Sequence, residues 1–167
     1  IIVSSLSTKG SHLAMEALAI GALEVMAKPS GAYSVGDVSI QLAEKIRAVH
    51  AAKLPRSAQQ QNSTNQRKIV SMASSENANK IIAIGASTGG AEAIKNVLTQ
   101  MPENAPGIVI VQHMPAQFTA SFAARLNELC QMHVKEAENG EPVTSGKALI
   151  APGNFHILLK RRGTGYS

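Results

Sequence analysis

Ser87 has the surroundings that most suggest chemistry. It stands in Ile84-Gly85-Ala86-Ser87-Thr88-Gly89-Gly90, after the apolar run that begins at Ile81 and before an amphipathic stretch. That places it where a strand ends and a helix begins. In parallel α/β sheets this edge borders the ligand crevice, and the first N–H groups of the following helix have no partner inside the helix. His113 ends the next apolar run, Gly107–Gln112. A serine hydroxyl is a weak nucleophile until a neighbouring base accepts its proton, and imidazole changes charge near neutral pH. Two such residues at consecutive strand ends suit nucleophilic acyl transfer.

Three readings of the loop compete. As a dinucleotide fingerprint it fails at the second glycine, where Ser87 would crowd the pyrophosphate, and Val109, Ile110 and Val111 stand where an acidic ribose contact is required. It lacks the Gly-Lys-Ser/Thr ending of a P-loop. As G-x-S-x-G the match is literal at Gly85, Ser87 and Gly89, and small neighbours leave the serine exposed on its turn. The order Ser then His differs from the Ser, Asp/Glu, His order of α/β-hydrolases, so a separate hydrolase family is implied. The plain structural alternatives are that Ser87 caps a helix and that His113 bonds to backbone at a strand end. His12, His50, His133 and His156 have no metal-ligand spacing with one another or with Cys130. No metal or cofactor is expected for catalysis.

The elements that must hold these residues follow from hydrophobic periodicity. Residues 1–52 read as strand (1–5), helix (7–20), strand (23–27) and helix (38–52), with Leu42, Ile46 and Val49 on one face of the last. Gly21 suits the position just past a helix C-terminus and Asp37 suits an N-cap. Residues 53–79 hold Gln59-Gln60-Gln61-Asn62-Ser63-Thr64-Asn65-Gln66, too polar to bury a core and read as an interdomain linker. A second α/β unit opens at Lys80. Strand 81–85, helix 90–100 with Ile94, Val97, Leu98 and Met101 as its apolar stripe, and strand 107–112 form a βαβ unit. A helix over 115–130 follows, striped by Phe118, Phe122, Leu126 and Leu129. Strands at 132–136, 148–151 and 155–159 complete the pattern, separated by Asn139-Gly140 and Pro152-Gly153. Alternating strands and helices imply a parallel sheet.

The bulk composition agrees. The 167 residues are 44% apolar and 16% charged, with no tryptophan, two tyrosines and three phenylalanines, which points to an aliphatic α/β core. One cysteine, Cys130, forms no internal disulfide, and no signal peptide opens the chain, so the cytoplasm is expected. Apolar runs such as Gly107–Val111 are far shorter than the roughly 20 residues of a membrane span. The net charge is +5, but the bases are dispersed, and no nucleic-acid partner is expected. Both ends are expected to be cut, because Ile1-Ile2-Val3 starts inside a strand and Arg162-Gly163-Thr164-Gly165 closely follows another.

The run from Ile82 to Gly90, the segment Val111-Gln112-His113-Met114-Pro115 with Phe118-Thr119 and Ser121-Phe122-Ala123, and the stretches Val134–Ala137 and Ile150-Ala151-Pro152-Gly153 resemble the catalytic domain of CheB-like chemotaxis methylesterases. The resemblance runs over residues 81–159. Residues 1–52 resemble the last part of a receiver domain, with Ser4 at the switch hydroxyl and Lys28-Pro29 at the lysine–proline pair. The implied fold is α/β: the C-terminal part of a flavodoxin-like receiver, a linker, then from residue 80 to 167 the N-terminal part of a doubly wound, Rossmann-like parallel-sheet hydrolase. The resemblance implies hydrolysis of glutamate methyl esters, and deamidation of glutamines, on the cytoplasmic domains of methyl-accepting chemoreceptors. Ser87 would be the nucleophile, His113 the base and the Thr88 N–H an oxyanion donor. A chemotaxis histidine kinase would phosphorylate the receiver, with Ser4 and Lys28 sensing the phosphoryl group and Mg²⁺ required for that step. In the family the unphosphorylated receiver covers the active site. The family's triad aspartate, its phospho-accepting aspartate and its acidic metal pair are expected outside this chain, whose one aspartate is Asp37. The chain alone is therefore expected to be a poor catalyst. A non-catalytic receiver-linked binding module is the reading from another class.

Overall fold

The computed structural model describes residues 1–5, 8–29, 35–51 and 80–167. Strand β1 (Ile2–Ser4), helix α1 (Thr8–Ala19), strand β2 (Val25–Ala27) and helix α2 (Val35–Ala51) come first. β1 and β2 pair in parallel, with Ile2 opposite Val25 and Ser4 opposite Ala27. Gly21 ends α1 as its sequence position suggests. At φ 115° it adopts a backbone that glycine tolerates, and the N–H groups of Gly21 and Ala22 donate to the carbonyls of Leu18 and Ala17, the paired bonds of a Schellman stop. The N-cap expected at Asp37 is corrected: α2 begins at Val35, so Asp37 lies inside its first turn. The segment 53–79, read as a linker, lies outside the described residues.

The second unit is β3 (Ile81–Ala86), α3 (Gly90–Leu98), β4 (Gly107–Gln112), α4 (Ala116–Leu129), β5 (His133–Glu136) and β6 (Lys147–Ile150). The four strands form one parallel sheet in the order β3-β4-β6-β5. From β3 to β4 and from β4 to β5 the chain steps in the same direction across the sheet. Right-handed crossovers then put α3 and α4 on the same face. Ile108 and Ile110 of β4 and Ala148 and Ile150 of β6 face those helices, in a buried cluster with Ile94, Leu98, Phe118, Phe122 and Leu126. Ala14, Met15 and Val25 join the same cluster, because α1 packs on α4 and α3.

Three side chains of the expected apolar stripes stand at the margins. Val97 is 43% exposed, Leu129 41% and Ile46 52%, which narrows each helix to the residues that meet the sheet or a neighbouring helix. The strand expected over 155–159 does not form. That segment has no strand partner among the described residues and instead lines a cavity together with Val109 and Leu149, which alternate with the helix-facing Ile108, Ile110, Ala148 and Ile150. The strands that follow are instead β7 (Arg161–Arg162) and β8 (Gly165–Tyr166), a short antiparallel hairpin turning at Gly163. Among the described residues no helix is long and apolar enough to cross a membrane.

Candidate active site

The register of β3 and β4 decides where Ser87 and His113 lie. Ala86 pairs with Gln112 as the last rung of the ladder. Ser87 and His113 are the residues immediately beyond, at the carboxyl ends of adjacent parallel strands. The His113 N–H donates to the Ala86 carbonyl at 3.0 Å, so both residues leave the sheet from one point. Both are solvent-exposed. The structure thus brings the sequence-derived pair together at one edge.

The loop after Ser87 is built on glycine. Thr88 and Gly89 make a turn, and Gly89, at φ 77°, is the residue that caps α3, without a side-chain cap bond. The reading of Ser87 as helix cap is therefore corrected: Ser87 precedes the cap by two residues, and its hydroxyl is not used to start the helix. The Gly90 N–H closes the turn on the Ser87 carbonyl at 2.7 Å. Thr88 is half-buried in this turn, directly after the serine. The Gly89 N–H donates to the Leu23 carbonyl at 3.1 Å, so the segment before β2 reaches onto this loop.

His113 begins a second tight junction. Met114 and Pro115 lead into α4, and Gly153 lies against them so closely that a Cβ there would meet Ala116 Cα at 2.5 Å and the Met114 carbonyl at 2.8 Å. Thr119, fully buried, holds this approach. Its hydroxyl accepts from the Gly153 N–H at 3.1 Å and lies 2.7 Å from the Ala116 carbonyl and 2.5 Å from Glu136 Oε1. A cavity of about 510 Å³ lies alongside, with His113, Gln117 and Asn154 on one wall and Ala27, Lys28 and Gln41 on the other.

Ser4 and Lys28 occupy the same end of the β1–β2 pair. Ser4 Oγ donates to the Gly10 carbonyl at 3.1 Å, and the Lys28 N–H donates to the Ser4 carbonyl at 2.7 Å. Lys28 is exposed on the rim of the His113 cavity. A hydroxyl and an ammonium offer no carboxylate for Mg²⁺, which takes hard oxygen ligands, so these two residues do not fit a resident divalent cation. Among the described residues no three His, Cys, Asp or Glu side chains gather as a metal site.

Sequence reasoning missed three contributors. Gln112, at the end of an apolar strand, turns inward and donates from Nε2 to the carbonyls of Ser87 (3.0 Å) and His113 (3.3 Å). A polar residue closing an otherwise apolar strand was the available signal. Thr119 was legible only as part of Phe118-Thr119, within the segment that resembles the family. Glu24, 5% exposed, meets Lys45 Nζ at 2.9 Å and braces β2 against α2 beside the cavity; nothing in the sequence pairs the two. Farther off, burial raises the Cys130 thiol pKa. Burial would also raise the Glu141 carboxyl, but hydrogen bonds from Lys147, Lys135 and the Glu138 N–H outweigh it and hold its pKa below the ordinary value.

An exposed strand-end serine and an exposed strand-end histidine thus lie at the same edge of a parallel α/β sheet. The CheB methylesterase family profile matches residues 82–167, just over half the chain. The chain belongs to the CheB methylesterase family. It is 55% identical over 166 residues to protein-glutamate methylesterase/protein-glutamine glutaminase 2 of Syntrophus aciditrophicus, covering 99% of this chain and 48% of that protein. It is 46% identical over 168 residues to the corresponding protein of Pectobacterium atrosepticum, covering 99% and 47%. The crystal structure of the Thermotoga maritima CheB methylesterase catalytic domain is similar at a TM-score of 0.50 and 45% identity, over 52% of this chain and 47% of that one. The chain spans about half the length of the curated relatives it matches.

Proposed function

We propose that this chain carries the nucleophile and base of a protein-glutamate methylesterase that also deamidates glutamine. Ser87 Oγ attacks the carbonyl carbon of a glutamate methyl ester while His113 accepts the serine proton. The tetrahedral intermediate collapses, the proton passes from His113 to the departing methoxide, and methanol leaves. His113 then deprotonates a water that attacks the acyl-enzyme, which releases glutamate and restores the serine. With glutamine the same steps release ammonia. The Thr88 N–H follows the nucleophile directly and suits an oxyanion donor, a contribution of about 2.7–4 kcal/mol to the transition state. The observation that carries this reading is the placement of Ser87 and His113 just past the paired residues Ala86 and Gln112, inside the segment that matches the family.

The substrates in this reading are the cytoplasmic helices of methyl-accepting chemoreceptors, and the protein works in the cytoplasm. Residues 1–52 are the C-terminal part of a receiver domain, 53–79 its linker and 80–167 the first part of the catalytic domain. A chemotaxis histidine kinase supplies the phosphoryl group, and Ser4 and Lys28 respond to it. The likeness of Ser4 and Lys28 to a receiver's switch pair, and the place of Lys28 on the rim of the His113 cavity, support this assignment. The relatives are named for hydrolysis, which favours the enzyme over a binding module. Methanol release from a methylated receptor, assayed with a form of the protein extended to the length of its relatives, tests the proposal. Release that survives Ser87→Ala at the unsubstituted rate sinks it.

A further inference from the structure

Gln112 is 6% exposed, and its Oε1 is buried with no hydrogen-bond partner among the described residues. A buried acceptor left without a donor costs stability, and each one in a folded protein asks for a reason. The same side chain's other end is fully used. Nε2 carries two protons and has two carbonyls in reach, those of Ser87 and His113. The amide cannot be turned over, because Oε1 would then face two carbonyl oxygens and four acceptor lone pairs with no proton between them. A leucine or methionine would fill the slot without stranding an acceptor. The donor end therefore explains the glutamine.

The slot itself is shaped for this side chain. Gln112 continues the inward row of Ile108 and Ile110 and slides under the first turn of α3. A Cβ on Gly90 would collide with Gln112 Oε1 and come within 2.6 Å of Ala86 Cβ. The absence of a side chain at position 90 is what lets the amide reach both loops.

From this geometry, and resting on the function proposed above, we infer that Gln112 is a positioning residue: it ties the backbone of the nucleophile to the backbone of the base and fixes the separation of the Ser87 hydroxyl and the His113 imidazole. Both side chains stand exposed just beyond the last rung of the ladder, and the Gln112 amide spans the two backbone segments that carry them. A misplacement of about 1 Å in such a pair costs roughly 10²-fold in rate. Gln112 touches neither substrate nor the transferred proton; it acts through the two carbonyls.

The test compares Gln112→Met and Gln112→Glu with the unsubstituted protein, in a form extended to the length of its relatives. In Gln112→Met, kcat and the rate of labelling by a fluorophosphonate serine probe fall together by about 10- to 100-fold, while KM for methylated receptor moves by less than about threefold. Gln112→Glu falls further, since a carboxylate in the same slot confronts two carbonyls. A purely structural role lowers the melting temperature and leaves kcat unchanged well below it. Unchanged kcat and labelling in Gln112→Met overturn the inference, whereas labelling that persists in Ser87→Ala overturns the proposed function instead. If the variants do not fold, the unsubstituted protein decides by NMR. Both Nε2 protons of Gln112 are expected to be strongly protected from solvent exchange, and rapid exchange of either overturns the inference.

Discussion

Replacing Thr119 by valine keeps the shape of the side chain and removes one hydroxyl. That hydroxyl is fully buried and has three polar neighbours: the Gly153 N–H, the Ala116 carbonyl and Glu136 Oε1. Valine leaves the Gly153 N–H, itself buried, without an acceptor, at a cost of about 1–3 kcal/mol. It also removes a bond to a carboxylate, a class of bond that contributes about 1.5–3 kcal/mol, taken at its lower end because Glu136 is only half-buried. The expected loss is about 2.5–4.5 kcal/mol. Thr119→Ser keeps the hydroxyl and loses a methyl group, about 1 kcal/mol. Urea unfolding of the three proteins measures this as a shift in midpoint at constant slope. Thr119→Val as stable as Thr119→Ser would refute the claim that this hydroxyl pins the Gly153 loop to α4.

Lys45→Met strands the buried Glu24 carboxylate, whose Oε2 already lacks a partner among the described residues, and is expected to cost about 3–5 kcal/mol in the same unfolding assay. Adding Glu24→Leu should recover most of that loss. The lowered Glu141 pKa means that its stabilising contribution is complete above the unfolded carboxylate value of about 4.3 and is lost as pH falls through the folded value; Glu141→Gln should flatten the acid limb of a stability–pH curve. Lys135 behaves in the opposite sense. Hydrogen bonds to Glu138 and Glu141 raise its pKa, so its contribution is present below the unfolded lysine value and is lost only as pH rises through the folded one. Ser87→Ala and His113→Ala should each remove most methanol release, and the double variant should be little worse than either single one. Additive losses would separate the two residues.

The parallel unit was legible because β3 and β4 are short aliphatic runs and each helix carries an inward stripe. Strand β4 has the bounds its composition suggested, Gly107–Gln112. The site was legible because Ser87 and His113 follow consecutive strands, and strands joined by one helix tend to be neighbours. What stayed hidden depends on partners. Residues 155–159 have strand-like composition, but a strand needs a neighbour to bond with, and here the segment lines a cavity with Val109 and Leu149 instead. The start of α2 differs because an aspartate serves inside a first turn as well as at a cap. Gln112 could not be assigned its role before the register was known, since one residue's shift would aim it at the opposite face.

Mass spectrometry after fluorophosphonate treatment tests the central claim most directly. Trypsin cuts after Lys80 and Lys95, and the resulting peptide 81–95 has hydroxyls only at Ser87 and Thr88. In a form extended to the length of its relatives, the adduct is expected on Ser87, and it should disappear in Ser87→Ala and form far more slowly in His113→Ala. Methanol release from methylated receptor that continues after Ser87 is fully modified, or an adduct that forms on another residue and abolishes that release, would contradict the account.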